Sequence, residues 1–149
     1  MIIFDRDDEK DTEMIQAVLK AVEEKDEDKL TSLFAKSTLS ELTLFDKQCH
    51  DLFEYFTGEV DLVDDWGGSF VETEMEDGFV FQKIESTFDV QTSEAKYRCA
   101  MRFVTQGNIE DIGIISLYII KVENISEDAY WGDGSFTPGI HIGVSNLTQ

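Results

Sequence analysis

The chain is poor in proline, cysteine, histidine and basic residues. Its 149 residues include one proline, two cysteines, two histidines and 12 lysines and arginines, against 32 aspartates and glutamates. A net charge of −20 repels nucleic acids and anionic membranes, because both are polyanions, so we expect neither to be the main partner. A basic protein partner, a metal ion or simple solubility remain as explanations of the charge.

Long apolar runs are also missing. The longest, Ile112 to Ile120, has nine residues and is interrupted by Gly113 and Ser116, whereas a membrane-spanning helix needs about 20. The N-terminus, Met1 to Asp5, lacks the roughly 7–15 apolar residues of a signal peptide. We therefore expect a cytoplasmic protein as the chain is written, or an extracytoplasmic one if a leader has been removed.

The few cysteines and histidines do not form a recognisable reactive or metal-binding pattern. Cys49 and Cys99 lack a CxxC motif and a histidine at zinc spacing, so we expect two buried free thiols. His50 follows Cys49 on a predicted helix, where neighbouring side chains diverge, and His141 lies alone in a predicted strand. We expect no metal, no cofactor and no enzymatic activity.

The composition nevertheless predicts a folded protein. Apolar residues make up 42% of the chain and include eleven phenylalanines, enough for the core of one domain over residues 1–149, with residues 1–7 and 145–149 expected to fray. Apolar residues at three- and four-residue steps predict three helices. The first covers Asp8–Glu24, a short second one is capped by Asp26 or Asp28, and the longest runs from the capping box Thr38-x-x-Glu41 to Gly58.

After Gly58 the apolar period changes to two, which predicts strands. We place them at Glu59–Trp66, Ser69–Glu76, Phe79–Val90, Ala95–Val104 and Gly113–Val122, with turns that include Gly67-Gly68 and Asp77-Gly78. The predicted class is therefore α+β, with three N-terminal helices packed on a curved antiparallel β-meander. Its predicted core comprises Ile15, Leu19, Leu33, Phe45, Leu52, Phe56, Ile114, Tyr118 and Ile120. The tail from Tyr130 to Val144 is expected to cover part of the other face.

The acidity is concentrated in residues 59–78, which carry eight acids and no base. We interpret this segment as an acidic hairpin that binds a basic partner. The predicted contacts are Glu59, Asp61, Asp64, Asp65, Glu72, Glu74, Glu76 and Asp77. Tyr130 and Trp131 are second-choice contacts, because aromatic anchors usually contribute more binding energy than charges at the rim.

Four bases lie in residues 79–106 and have two interpretations. They can neutralise acids on neighbouring strands, or they can form a basic floor that binds an anionic ligand, with Lys96, Arg98 and Arg102 as its contacts. The aromatic residues of the predicted strands are similarly open: they can be plain core or can line a ligand pocket.

Three separated blocks resemble a bacterial family. They are Phe45-Asp46 with Leu52 to Val60, Asp111-Ile112-Gly113 leading to Leu117 to Lys121, and Tyr130 to Asp133 with Pro138-Gly139-Ile140. Together they resemble domain-of-unknown-function family 5104 over roughly residues 9–142. The order of helices and strands is similar to the nuclear-transport-factor-2-like (cystatin-like) fold. The resemblance implies a cone with a pocket between the sheet and the long helix, but supplies no activity or catalytic residues. Many family members look like lipoproteins with a cysteine ahead of the first helix, which this sequence lacks.

These features favour a non-enzymatic acidic binding protein. The leading hypothesis is an immunity-type protein that neutralises a basic toxin domain. One alternative is a small-ligand-binding or enzymatic cone domain that uses Lys96, Arg98 or Arg102. Another is an extracytoplasmic accessory lipoprotein domain. The partner's identity and the oligomeric state stay open.

Overall fold

The computed structural model describes residues 3–4, 9–65, 70–125 and 136–144. The helices are α1 (Glu9–Glu24), α2 (Glu27–Leu33), α3 (Lys36–Leu39) and α4 (Phe45–Tyr55). The strands are β1 (Ile3–Phe4), β2 (Val60–Asp65), β3 (Phe70–Glu76), β4 (Phe79–Thr92), β5 (Lys96–Gln106), β6 (Gly113–Lys121) and β7 (Gly139–Ile142). Two short 3-10 helices follow β5 and β6, at Ile109–Asp111 and Val122–Asn124. None of the helices in these segments is long and apolar enough to cross a membrane.

The strands form one seven-stranded, mostly antiparallel sheet, which confirms the α+β class. Its order is β1-β2-β4-β5-β6-β7, and β3 pairs with β4. β1 was not predicted, whereas β7 is the strand expected around His141. Both pair in parallel: β1 with β2, and β7 with β6. Ile3 and Phe4 therefore belong to the sheet, although residues 1–7 are predicted to fray.

The predicted hairpin between the first two long strands is wrong. β2 and β3 each pair antiparallel with β4, so they run in the same direction along one edge of it. β2 lies against the end of β4 from Phe88 to Thr92, and β3 against its beginning from Phe79 to Glu85. The 14 residues of β4 are long enough to pair with both. The predicted turn at residues 67–68 lies outside the described residues.

The helices agree with the sequence analysis except in the third. Asp26 caps α2, because its carboxylate accepts the backbone N–H of Lys29 at 3.0 Å. The helix predicted from Thr38 to Gly58 is instead two helices, α3 and α4, and α1 is longer than either. The backbone N–H of Ala35 donates to the carbonyl of Ile114 at 3.0 Å, which anchors the chain to β6 just before α3. Thr38 is consequently inside α3, and α4 begins after Leu44 without a side-chain cap.

The core lies between the helices and one face of the sheet, which we call the inner face. Alternate residues of β5 point into it and are buried: Tyr97, Cys99, Met101 and Phe103. Tyr118 and Ile120 are also buried but belong to a second cluster with Ala100, packed against Phe136 on the outer face. Their predicted place in the helical core is wrong, because residues at even positions of β6 between Ser116 and Ile120 point to the outer face. In the described part of the tail, Phe136 and His141 contact Tyr118, as the predicted cover requires.

Candidate functional site

In the hairpin of β3 and β4, residues 73–79 are all exposed. Asp77 and Gly78 form its turn, both with positive φ, 52° and 80°, as a two-residue type I′ turn requires. The register places Glu72, Glu74 and Glu76 opposite Lys83, Phe81 and Phe79, respectively. Because alternate residues share a face, the three glutamates line one face of β3, as predicted.

The glutamates of the hairpin are only partly neutralised. Lys83 Nζ lies 3.5 Å from Glu72 Oε2. Glu74, Glu76 and Asp77 are exposed, and within the described residues no ion pair involves any of them. A cavity of about 450 Å³ at the tip is lined by Glu74, Met75, Glu76, Phe79 and Phe81. The tip therefore combines negative charge with apolar surface.

Large apolar side chains are exposed on the same hairpin. Val71 is 49% exposed, Met75 73% and Phe79 47%. Val71 and Met75 share the inner face of β3, which shows that the buried part of that face does not extend to the hairpin. Phe79 lies opposite Glu76 on the outer face, so apolar side chains are exposed on both faces of the hairpin. The charge pattern of the sequence predicted the acids of this hairpin, whereas its exposed apolar residues were not predicted.

The acids of β2 lie farther along the same side of β4, on a strand that β1 covers in turn. Asp61 is exposed at a bulge between Val60 and Leu62, and Asp64 is exposed with its backbone in register with Asp89. The backbone N–H of Glu59 donates to Ser93 Oγ at 3.0 Å. Asp65 ends the strand. Six of the eight predicted acids are therefore divided between β2 and β3, while Glu59 precedes β2 and Asp77 lies in the turn after β3. The acids of β3 form the more compact row.

The bases of β5 form ion pairs on the outer face, which confirms the first interpretation of the middle strands. Arg98 donates two hydrogen bonds to the buried Asp89, at 2.8 and 3.0 Å, and Lys96 Nζ lies 3.9 Å from the same carboxylate. Arg102 donates to Glu85 at 2.9 Å, and its guanidinium also lies 4.7 Å from the ring centroid of Phe136. Each cation assigned to an anionic ligand is thus already beside a carboxylate.

Both thiols are buried, and both histidines contact neighbouring side chains. Burial, with a smaller contribution from Glu27, raises the pKa of Cys49 to about 12, and burial also raises the pKa of Cys99 well above its usual value. His50 Nε2 lies 2.7 Å from Glu27 Oε1. His141 stacks on the ring of Tyr118, with centroids 4.5 Å apart. A protonated thiol is a poor nucleophile. The described residues contain no group of three side chains suited to a metal ion.

A second cavity, of about 380 Å³, lies between α1 and the end of β5. Its lining is mostly apolar and comprises Lys10, Glu13, Met14, Ala17, Leu33, Phe103, Val104, Thr105, Ile112 and Gly113. Asp11, on the next position of α1, is buried beside Ser86, whose hydroxyl donates to Asp11 Oδ2 at 3.3 Å. The cavity is thus a mostly apolar space between the helical layer and the sheet.

Comparison with known proteins identifies the family. The family described as a domain of unknown function, DUF5104, matches residues 17–122, which is more than two thirds of the chain. The chain belongs to the DUF5104 family. Its matched region begins within α1 and ends just after β6, so it includes the whole β3–β4 hairpin. No curated protein matches the chain. Tyr130 and Trp131, the second-choice contacts, lie outside the described residues.

Proposed function

We propose that this DUF5104 protein is a non-enzymatic binding protein that captures a basic protein surface with the β3–β4 hairpin. The observation that carries the proposal is the coincidence of Glu74 and Glu76, which have no cation partner among the described residues, with exposed Val71, Met75 and Phe79. Charge attracts a basic partner over long distances, and apolar contacts then hold it. Solubility would explain the charge but not the exposed apolar side chains.

The proposed class of partner is a toxin domain with a basic active surface, and the protein acts as its immunity protein. Clustered glutamates repel each other, so an uncompensated row costs folding stability. A partner that supplies lysines and arginines removes that cost on binding. Complementary charge also accelerates association, which benefits an inhibitor that must reach its toxin before the toxin reaches its target.

For the fold, we propose the nuclear-transport-factor-2-like cone that the resemblance implies. Two features support it: the helices pack on one face of the sheet, and the cavity of about 380 Å³ lies between α1 and β5. An experimental structure that superposes the sheet and α1 on that fold would support the assignment. A flat sheet, or a curved one with α1 packed on its convex face, would contradict it.

Coexpression with the proteins encoded beside its gene tests the proposed function. We expect one basic product to be bound and its toxicity to be relieved. The double substitution Glu74→Lys with Glu76→Lys should abolish the relief. The control, Glu41→Lys with Glu123→Lys, changes two exposed acids outside the hairpin and alters the net charge equally, so it should keep the relief. Loss of relief in both variants, or in neither, would contradict the assignment to the hairpin.

A second candidate function is the binding of a small apolar ligand, favoured by the cavity beneath α1. Its lining is apolar apart from Lys10, Glu13 and Thr105. Ala17→Phe should fill the cavity and prevent an environment-sensitive apolar dye from binding, while leaving capture of the basic partner unchanged. Equal dye binding by both proteins would exclude this cavity as the site.

A further inference from the structure

The backbone of β3 presents hydrogen-bonding groups along an outer edge. In a hairpin closed by a two-residue turn, the residues flanking the turn exchange hydrogen bonds, and bonded pairs then alternate with non-bonded pairs. Glu76 and Phe79 flank this turn, so Glu72, Glu74 and Glu76 direct their N–H and C=O groups towards β4. The N–H and C=O groups of Val71, Thr73 and Met75 consequently point away from β4.

This edge is open in the part of the chain that the structure describes. There, β4 is the one strand that pairs with β3, and β1 pairs with β2 instead. The side chains beside the edge are accessible, since Val71, Thr73 and Met75 are all exposed. An open edge with seven residues is long enough to bind an added strand.

The charges of β3 select among possible occupants. A second copy of the chain would bring another row of glutamates beside Glu72, Glu74 and Glu76, and like charges on adjacent strands repel. An extended segment with a lysine or arginine at every second residue would instead place its cations beside this row. Apolar residues at the intervening positions would contact Val71 and Met75 on the inner face.

We infer that β3 is a docking edge to which an extended basic segment of the partner adds as a further strand, with its cations beside Glu72, Glu74 and Glu76. The inference rests on the proposed function and specifies how the partner is held. Backbone hydrogen bonds supply the register, and the alternating side chains supply specificity for a segment with basic and apolar residues in alternation.

A synthetic peptide tests the inference. The probe is a capped heptapeptide of alternating lysine and valine. Its control, the N-methylated twin, has the same sequence but carries N-methyl groups at the residues whose N–H groups would face β3. We expect the unmodified peptide to slow amide hydrogen exchange at Val71, Thr73 and Met75. Thr73→Pro removes an outward N–H but no hydrogen bond to β4, and should weaken binding about tenfold, roughly the effect of losing one or two hydrogen bonds. Thr73→Ala keeps the N–H and should bind within about twofold of the unmodified protein.

The outcomes separate this inference from the proposed function. Strand addition would be overturned if Thr73→Pro and Thr73→Ala bound the peptide equally, or if the N-methylated peptide bound as well as the unmodified one. If Glu74→Lys with Glu76→Lys still abolished binding in that case, the charged surface would stand. No binding to the unmodified protein at low salt would overturn strand addition, and unchanged capture of the basic partner by the charge-reversal variant would overturn the proposed function. If amide hydrogen exchange at Val71, Thr73 and Met75 slowed with rising protein concentration in the absence of peptide, the occupant would be a second copy of the chain. That result would also overturn the inference. If Thr73→Pro fails to fold, the N-methylated twin decides the question.

Discussion

Gly113 joins β6 to the helical layer, and its replacement by alanine should be among the costliest single-methyl changes in the protein. Its φ is +131°, a conformation that residues with a Cβ rarely adopt. A Cβ would lie 2.7 Å from the backbone nitrogen of Ala35 and 2.9 Å from the carbonyl oxygen of Leu33. Both are backbone atoms, held there by the hydrogen bond from Ala35 to Ile114. The methyl group therefore separates the α2–α3 connection from β6.

We expect Gly113→Ala to lower the free energy of unfolding by about 3–5 kcal/mol, from about 1–3 kcal/mol of backbone strain plus the lost contact and hydrogen bond. Gly78→Ala is the matched control, because Gly78 also has a positive φ, +80°, but nothing lies within 4 Å of the added Cβ. Gly78→Ala should lower the free energy of unfolding by about 1–2 kcal/mol. Urea unfolding followed by circular dichroism measures both. Equal losses would refute the close approach at Gly113.

Three further predictions concern the core and the outer face. Tyr97→Phe should lower the free energy of unfolding in urea by about 1–3 kcal/mol, because the backbone N–H of Thr57 donates to the buried hydroxyl at 2.9 Å. An unchanged unfolding midpoint would contradict that hydrogen bond. Arg98→Ala should cost about 2–4 kcal/mol, because the buried Asp89 loses its bidentate partner, and Asp89→Asn in the same chain should recover part of the loss; no recovery would argue against the pair. Burial raises the pKa of Cys49 to about 12, so the thiol stays protonated in the folded state at pH values where it ionises in the unfolded chain. The stability contributed by burying the protonated thiol is therefore fully present below pH 9.0 and is lost as the pH rises towards 12. Cys49→Ala should show a shallower loss over that range, and identical slopes would contradict the burial.

Local patterns were sufficient for most elements. The three- and four-residue spacing of Met14, Ile15 and Val18 predicted α1 to within one residue at its start, because an amphipathic helix repeats its apolar face locally. Asp77-Gly78 predicted its turn because both residues tolerate positive φ. Such features depend on neighbours in the chain, which the sequence displays directly.

Features that depend on distant contacts were not predictable. The start of α3 at Lys36 follows from the hydrogen bond between Ala35 and Ile114, which are far apart in the chain. The placement of β2 and β3 along one edge follows from their separate registers on β4. Two strands joined by glycines more commonly form a hairpin, and no local signal distinguishes the two arrangements.

The candidate site was predictable in its charge but not in its shape. The acids of residues 59–78 and the shared face of Glu72, Glu74 and Glu76 follow from composition and alternation. The exposure of Val71 and Met75 does not, because it depends on how far the helices cover the inner face. Apolar residues at alternate positions are usually buried, so the pattern alone indicated core.

The association rate of the basic partner recovered by coexpression tests the central claim most directly. Measured by stopped flow at increasing salt, it should fall steeply for the unmodified protein, because salt shortens the screening length to about 8–10 Å at physiological ionic strength. At low salt, Glu74→Lys with Glu76→Lys should slow association about tenfold or more, while Glu41→Lys with Glu123→Lys should change it much less, since the hairpin's charges act at the contact itself. Equal rates for the two double variants would contradict capture by the β3–β4 hairpin.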